Sequence, residues 1–295
     1  MTGGLAGEEQ GPRVREYYTI AGPDYAAWSR GLHMHFGYWR RGMNPLRLEP
    51  MLAAMNDELL AALELAAGRS ARVLDLGCGF GATARQLALG RPQLELLGVT
   101  IVPSQVGEAK RLAELAGLGE RVRFVEADYT RLPLADGSID GAYALESACH
   151  ALGPDKPALV RELARVLRPG GRFVIADGFM KHARPLPGWL ERVRASVCAG
   201  WAVPEFAELG AITRTMRACG LQVLEVRDIS WRVAPSMLHV PRTVLRFLYA
   251  ELRRTGGLRL GPVRWGNVVA PSLGLVLGLA RRDFGYHLIT GRRIG

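Results

Sequence analysis

Two groups of residues have the types and spacing to do chemistry. In YALESACHA, Tyr143 to Ala151, Glu146 and His150 stand four residues apart just after an apolar run. If this segment turns helical the two side chains share a face, and a carboxylate beside an imidazole is equipped for proton transfer. Upstream, DLGCGFG runs from Asp75 to Gly81 with glycines at 77, 79 and 81. Glycine allows a tight turn and a close approach of backbone to ligand. A dinucleotide site would carry GxGxxG, with room for a pyrophosphate at the helix N-terminus. Here the third glycine comes one place early and Ala82 follows it, which argues for a nucleoside without phosphates. Asp75, in the strand before the turn, is placed to meet an ammonium group.

Both groups need elements to hold them. From Arg72 the sequence alternates short apolar strands with helices: RVLDLGCGFGATARQLA, LELLGVTIVPSQVGEAKRLAELAGL, VRFVEADYTRLPLADGSIDGAYALES, KPALVRELARVL and RPGGRFVIADGF. That rhythm predicts an α/β fold with a parallel sheet covered on both faces. It breaks after Phe179. Lys181–Gly220 and Trp231–Arg282 read as helical insertions around a substrate chamber, between which LQVLEVRDIS forms a strand, and FGYHLITGRR closes the sheet. Residues 1 to about 12, rich in glycine and acid, are expected to be disordered. Aromatic residues crowd Val14 to Trp39, and an amphipathic helix follows from Pro45.

VLDLGCGFG resembles the first motif of the class I S-adenosylmethionine-dependent methyltransferases, and the resemblance extends over roughly Tyr17 to Phe179. It implies a Rossmann-like, seven-stranded, mostly parallel sheet with N-terminal helices and helical insertions forming a cap. The implied division is a helical segment over residues 1–66 that covers the site, a cofactor-binding core over 67–180, and substrate-binding insertions interleaved with the last two strands over 181–295. By the same resemblance S-adenosylmethionine is the cofactor, held by Asp75, Gly77, Cys78, Gly79 and Gly81. Many members end the second strand with an acid for the ribose. This sequence has GVTIVPSQ there, similar to the sterol, tocopherol and prenyl-diphosphate methyltransferases and the cyclopropane synthases, so Thr100 and Gln105 become the ribose candidates. Asp128 and Tyr129 in EADYTRLPL fall where that family reads adenine.

Within the resemblance, YALESACHA follows the fourth strand, whose end faces the transferred methyl group. Its pattern is similar to that of sterol methyltransferases. Methylation of an alkene carbon leaves a carbocation, which calls for negative charge or aromatic π density and then a base. Glu146 and His150 are therefore the catalytic candidates. Tyr18, Tyr25, Trp28, His35, Tyr38 and Trp39 are the candidates for a substrate wall, because HMHFGYW resembles the segment closing over cofactor and substrate in tocopherol methyltransferases. The leading expectation is carbon methylation of a sterol-like or terpenoid isoprenoid. Alternatives are a prenyl diphosphate clamped by Arg40, Arg41 or Arg232 with Mg²⁺, and O- or N-methylation of a small amphiphilic natural product. His33 and His35 lack an acid cluster, and no resident metal site is expected.

The totals narrow the partners. A formal charge of +10 arises from 38 basic and 28 acidic residues, almost all of the basic ones arginine and none in a dense block. LESACHA is unlike the Asn/Asp-Pro-Pro-aromatic string that grips a flipped base, so nucleic acid is disfavoured. Four cysteines without CxxC spacing suit a reduced, cytoplasmic chain. No run reaches the ~18 apolar residues of a membrane span. Val268–Ala280 is the most apolar stretch, suited to lining a greasy cavity or touching a membrane surface, and the number of subunits is left open.

Overall fold

The apolar runs that alternate with helical periodicity become a twisted central sheet with helices on both faces. A computed structural model describes residues 3–66 and 68–295. Strands β1 (Ala71–Leu76), β2 (Leu94–Thr100), β3 (Val122–Glu126), β4 (Ile139–Leu145), β5 (Leu167–Met180), β6 (Ala207–Glu208), β7 (Leu221–Asp228) and β8 (Phe284–Arg293) make one sheet. Its order is β3-β2-β1-β4-β5-β8-β7, with the two-residue β6 paired to β5. β8 runs antiparallel to both β5 and β7, and the remaining pairs are parallel. The expected α/β architecture is thus present, with β6 as an extra strand the sequence did not announce.

Two hydrophobic cores sandwich the sheet. On one face α2 (Leu48–Ala62), α3 (Ala82–Gly90), α4 (Pro103–Leu115) and α8 (Ser230–Met237) pack Met55, Leu87, Ala109 and Val233 against Val73, Leu96 and Tyr143. On the other, α5 (Pro157–Val166) and α7 (Leu209–Ala218) pack Leu163 and Met216 against Leu74, Phe173 and Ile175. The order reverses between β1 and β4, so the strand ends part there and leave a cleft at the carboxyl edge of the sheet, where open α/β sheets bind ligands.

Two sequence expectations change. Residues from Gly3 onward, expected to be disordered to about 12, form α1 (Gly3–Ala21), while Met1 and Thr2 lie outside the described residues. The reason is a stripe at helical spacing: Gln10, Val14, Tyr17 and Ala21 are buried, the last three in a cluster with Ala202, Ile101 and Val263. Lys181–Gly220 is not one insertion. Its first part forms α6 (Gly188–Gly200) over the chamber, whereas α7 belongs to the sheet, because Ile212 and Met216 share the core of Leu163. The second insertion is helical, as α8, α9 (Val240–Thr255) and α10 (Pro262–Leu279), with α10 packed against α6.

Candidate active site

The glycine turn sets the geometry of the cleft. Gly77, Gly79 and Gly81 have φ of +87°, +51° and +70°, a region that strains any other residue. A Cβ on Gly77 would stand 2.5 Å from that of Ser147, and one on Gly79 would stand 2.8 Å from the Met34 sulfur. Gly81 does not line the cleft. It precedes α3 with its Cα against the Phe124 ring, so it is needed for packing rather than for ligand approach. The cleft is a cavity of about 310 Å³ lined by Asp75, Gly77, Cys78, Gly79, Thr100, Gln105, Asp128 and Tyr129, and covered by Gln10, Val14 and Tyr18 of α1.

Polar groups in this cleft are held in place or left waiting. Thr100 donates to Gln105 Oε1 at 2.8 Å, tying the two together. Tyr129 donates to the Ser147 carbonyl at 2.8 Å, and Asp128 Oδ1 accepts from the amide and hydroxyl of Thr130 at 2.7 Å. Asp75 is buried and its Oδ2 has no hydrogen-bond partner. Burial pushes its carboxyl up to about 7, and the hydroxyl of Tyr143, its register partner on β4, pulls the other way. A buried carboxylate without a partner is costly, so this oxygen fits the ammonium of an amino-acid moiety.

Glu146 and His150 do converge, though not by sharing a helical face. Only Ala148–His150 turns, as a short 3-10 segment, and Glu146 lies before it with φ +49°. That left-handed backbone is uncommon for a residue with a side chain and is typical of functional sites. Glu146 Oε1 accepts from the Phe36 amide at 2.6 Å and the Tyr286 hydroxyl at 2.8 Å. Burial nonetheless pushes its carboxyl up to about 8, with the Asp177 carboxylate acting in the same direction. His150 is buried. Its Nδ1 faces the Ala202 carbonyl at 3.4 Å and its Nε2 meets the Tyr18 hydroxyl at 2.9 Å. A proton on Nδ1 leaves Nε2 as the acceptor, an assignment made from these partners. Burial lowers the imidazole to about 4, so it is neutral near pH 7.

Behind this pair lies a second cavity, about 490 Å³, lined by apolar side chains that include Phe206, Val233, Phe247, Leu277 and Phe284. The two cavities share Tyr18, Met34, His35, Glu146 and His150. Tyr25 and Trp28 line the second one, Trp28 meeting Phe36 edge-on at 5.7 Å. His35 Nδ1 donates to the Phe36 carbonyl at 2.8 Å, its Nε2 lies 3.1 Å from His33 Nδ1, and burial lowers it to about 3. Tyr38 and Trp39, expected in the substrate wall, line neither cavity. Tyr38 sits in the core under Arg232, and Trp39 donates to the Met43 carbonyl at 2.9 Å. The arginines expected to clamp a diphosphate are also elsewhere. Arg40 pairs with Glu58 at 3.2 Å, Arg41 is exposed, and Arg232 lies 5.9 Å from the centre of the Tyr38 ring. Arg281 is the arginine that lines the chamber, and it is engaged by Asp228 at 3.3 Å.

Several residues at the site escaped the sequence reading. Tyr286 comes from β8, and Asp177 comes from β5, where it accepts from the amides of Cys149 and Gly178 at 2.9 and 2.8 Å. Gln10 donates to the Ala202 carbonyl at 2.9 Å and reaches that of His150 at 3.4 Å. The helical stripe through Gln10, Val14 and Tyr17 was the available signal for α1. No local pattern marks Tyr286, whose inward face is set by its register opposite Gly178.

Comparison with known proteins agrees with this fold. Residues 74–175 match the methyltransferase domain family. The chain is 35% identical over 262 residues to the O-methyltransferase resE of Aspergillus sclerotiorum, covering 88% of this chain and 89% of that one. It is 35% identical over 272 residues to the 27-O-demethylrifamycin SV methyltransferase of Amycolatopsis mediterranei (strain S699), covering 89% and 90%. In fold it is similar to the geranyl diphosphate C-methyltransferase of Streptomyces coelicolor A3(2), with a TM-score of 0.69 and 18% identity over 97% of this chain and 98% of that one. The protein belongs to the class I S-adenosylmethionine-dependent methyltransferases, and S-adenosylmethionine is its cofactor.

Proposed function

We propose that this enzyme methylates a hydroxyl group on a small, largely apolar molecule, with His150 as the base. The observation that carries the reading is the threshold itself: a neutral imidazole with Nε2 as acceptor stands where a cofactor-sized cleft opens into an apolar chamber. When bound, S-adenosylmethionine supplies an electrophilic methyl group. Asp75 would hold its ammonium, Gly77, Cys78 and Gly79 its methionyl part, Thr100 and Gln105 its ribose, and Asp128 and Tyr129 its adenine. The fit rests on the unpartnered Asp75 oxygen and on the space that side chains at 77 and 79 would fill.

A base lowered to about 4 suffices for this chemistry. As the new bond to the hydroxyl oxygen forms, that oxygen becomes an oxonium, far more acidic than an imidazolium, and proton loss accompanies the transfer. The substrate proton passes to the Tyr18 oxygen while the Tyr18 proton passes to His150 Nε2. Relatives 35% identical over most of both chains are named for oxygen methylation, which supports a hydroxyl over a carbon acceptor. The N-terminal segment and the insertions of 181–206 and 231–282 would enclose the substrate.

Carbon methylation of an isoprenoid alkene is the second reading, favoured by Tyr25, Trp28 and Phe36 standing around Glu146 in the chamber. Purified enzyme with isotopically labelled cofactor and a panel of hydroxylated polyketides, phenols, sterols and prenyl diphosphates separates the two. Product mass and NMR place the new methyl on oxygen under the first reading. A methyl on a carbon with the hydroxyls intact would overturn it.

A further inference from the structure

Beyond the site, the outer face of α9 carries an ordered arrangement that the catalytic reading does not use. Val240, Val244, Phe247 and Glu251 point inward, and the first three line the chamber. At the opposite side of the helix Leu245, Tyr249 and Leu252, at i, i+4 and i+7, are 68%, 63% and 46% exposed. At 100° per residue they fall within about 60° of arc, and Arg242, Arg246 and Arg253 fall beside them on one flank. All three arginines are exposed. Residues 229–282 hold nine arginines against one carboxylate, Glu251, which is buried and paired with Arg254 and Arg264. Most of the chain's formal charge of +10 therefore sits on this helical cap.

The rest of the cap extends the pattern. Trp231, Leu238 and Leu279 are exposed and also line the chamber, so the apolar cavity reaches the surface among apolar side chains. Isolated exposed apolar residues are ordinary, but an apolar stripe flanked by arginine, on a helix whose other face walls an apolar chamber, has the character of an interaction surface. We infer that the outer face of α9, with the rim formed by Trp231, Leu238 and Leu279, docks the enzyme on an anionic lipid surface, the apolar stripe entering the acyl boundary and the arginines meeting lipid phosphates. Charge selects this partner over a neutral bilayer, and Trp231, Leu238 and Leu279, exposed and chamber-lining at once, give an apolar solute an apolar entrance. Among the described residues no helix is long and apolar enough to cross a membrane, and the docked enzyme lies on the surface.

The test needs neither substrate nor turnover, so its outcome is separate from that of the methyl-transfer reading. The intact protein is sedimented with vesicles of phosphatidylcholine alone and with vesicles that include phosphatidylglycerol. It is expected to partition onto the anionic vesicles and to be released by salt. Combined Leu245→Ser, Tyr249→Ser and Leu252→Ser lowers partitioning at least about tenfold, and Arg242→Gln or Arg246→Gln lowers it about fivefold each. Calorimetric binding of S-adenosylmethionine checks that each variant is folded, and the arginine variants serve if the serine set does not fold. A protein that stays in the supernatant with anionic vesicles, or binding that neither set alters, overturns the proposal. So does a dimer seen by light scattering that the serine set splits, since a second copy would then own the stripe.

Discussion

The hydroxyl of Tyr286, on the antiparallel strand β8, donates to Glu146 Oε1 at 2.8 Å, and the Phe36 amide donates to the same oxygen at 2.6 Å. Two elements far apart in the chain thus converge on one carboxyl oxygen beside the base. Both contacts survive with a glutamine, whose carbonyl oxygen also accepts. Glu146→Gln is expected to keep cofactor affinity and to lower kcat by no more than about tenfold if the acceptor is a hydroxyl. A loss above about a hundredfold, measured with the same substrate, moves the chemistry to Glu146 and to a carbon acceptor.

The pH profile distinguishes the two candidate bases. A base must be deprotonated, so kcat/KM falls as pH drops through its value in the free enzyme. With His150 lowered to about 4, kcat/KM for the methyl acceptor, measured with cofactor saturating so that its ammonium keeps Asp75 ionised, is expected to hold between pH 5 and 7, well below where an ordinary histidine would lose it. An acid limb near 8 would instead report Glu146 as the base.

Replacing the base gives a second measure. His150→Ala should lower kcat by ~10²–10⁴ while leaving cofactor affinity nearly unchanged. Tyr18→Phe breaks the same proton path, because the hydroxyl bonded to Nε2 is the relay, and is expected to cost a comparable factor of ~10²–10⁴, read from single-turnover rates with cofactor saturating.

Asp75 links cofactor binding to proton release. Its ordinary value of 3.8 rises to about 7 in the folded cleft, so the folded enzyme holds a proton there that the unfolded chain gives up. The contribution to stability is full below about 4 and is lost as pH rises through 7. Asp75→Asn should therefore make the cofactor-free protein more stable than the parent at pH 8, on the order of 2 kcal/mol, with little difference at pH 4. The same substitution weakens S-adenosylmethionine binding at least tenfold. Thermal melts and calorimetry at both pH values check the pair.

Gly77→Ala puts a methyl group 2.5 Å from Ser147 Cβ at a φ of +87°. It is expected to destabilise the fold by about 1–3 kcal/mol and to abolish cofactor binding. A variant with parental melting temperature and affinity would show that the turn relaxes without cost.

The alternation of strand and helix makes the sheet legible in the sequence, down to the last strand at Phe284–Arg293. The glycine turn and the pair at 146 and 150 were legible because their residue types are constrained locally. What escaped is what depends on distance. Tyr286 and Glu146 are 140 positions apart, and only the antiparallel register of β8 against β5 brings them together. Tyr38 and Trp39 show the opposite failure: aromatic type predicts burial, but not which side of a loop faces a cavity. Glu146 reaches the threshold through a left-handed backbone that nothing in LESACHA foretells.

Gln10 fastens the roof of the nucleoside cleft to two carbonyls at once, that of Ala202 and that of His150 itself. Any displacement of α1 from the cleft would break both bonds and release the peptide carrying the imidazole as well. The helix that roofs the cofactor and the base beneath it are therefore held by one and the same side chain.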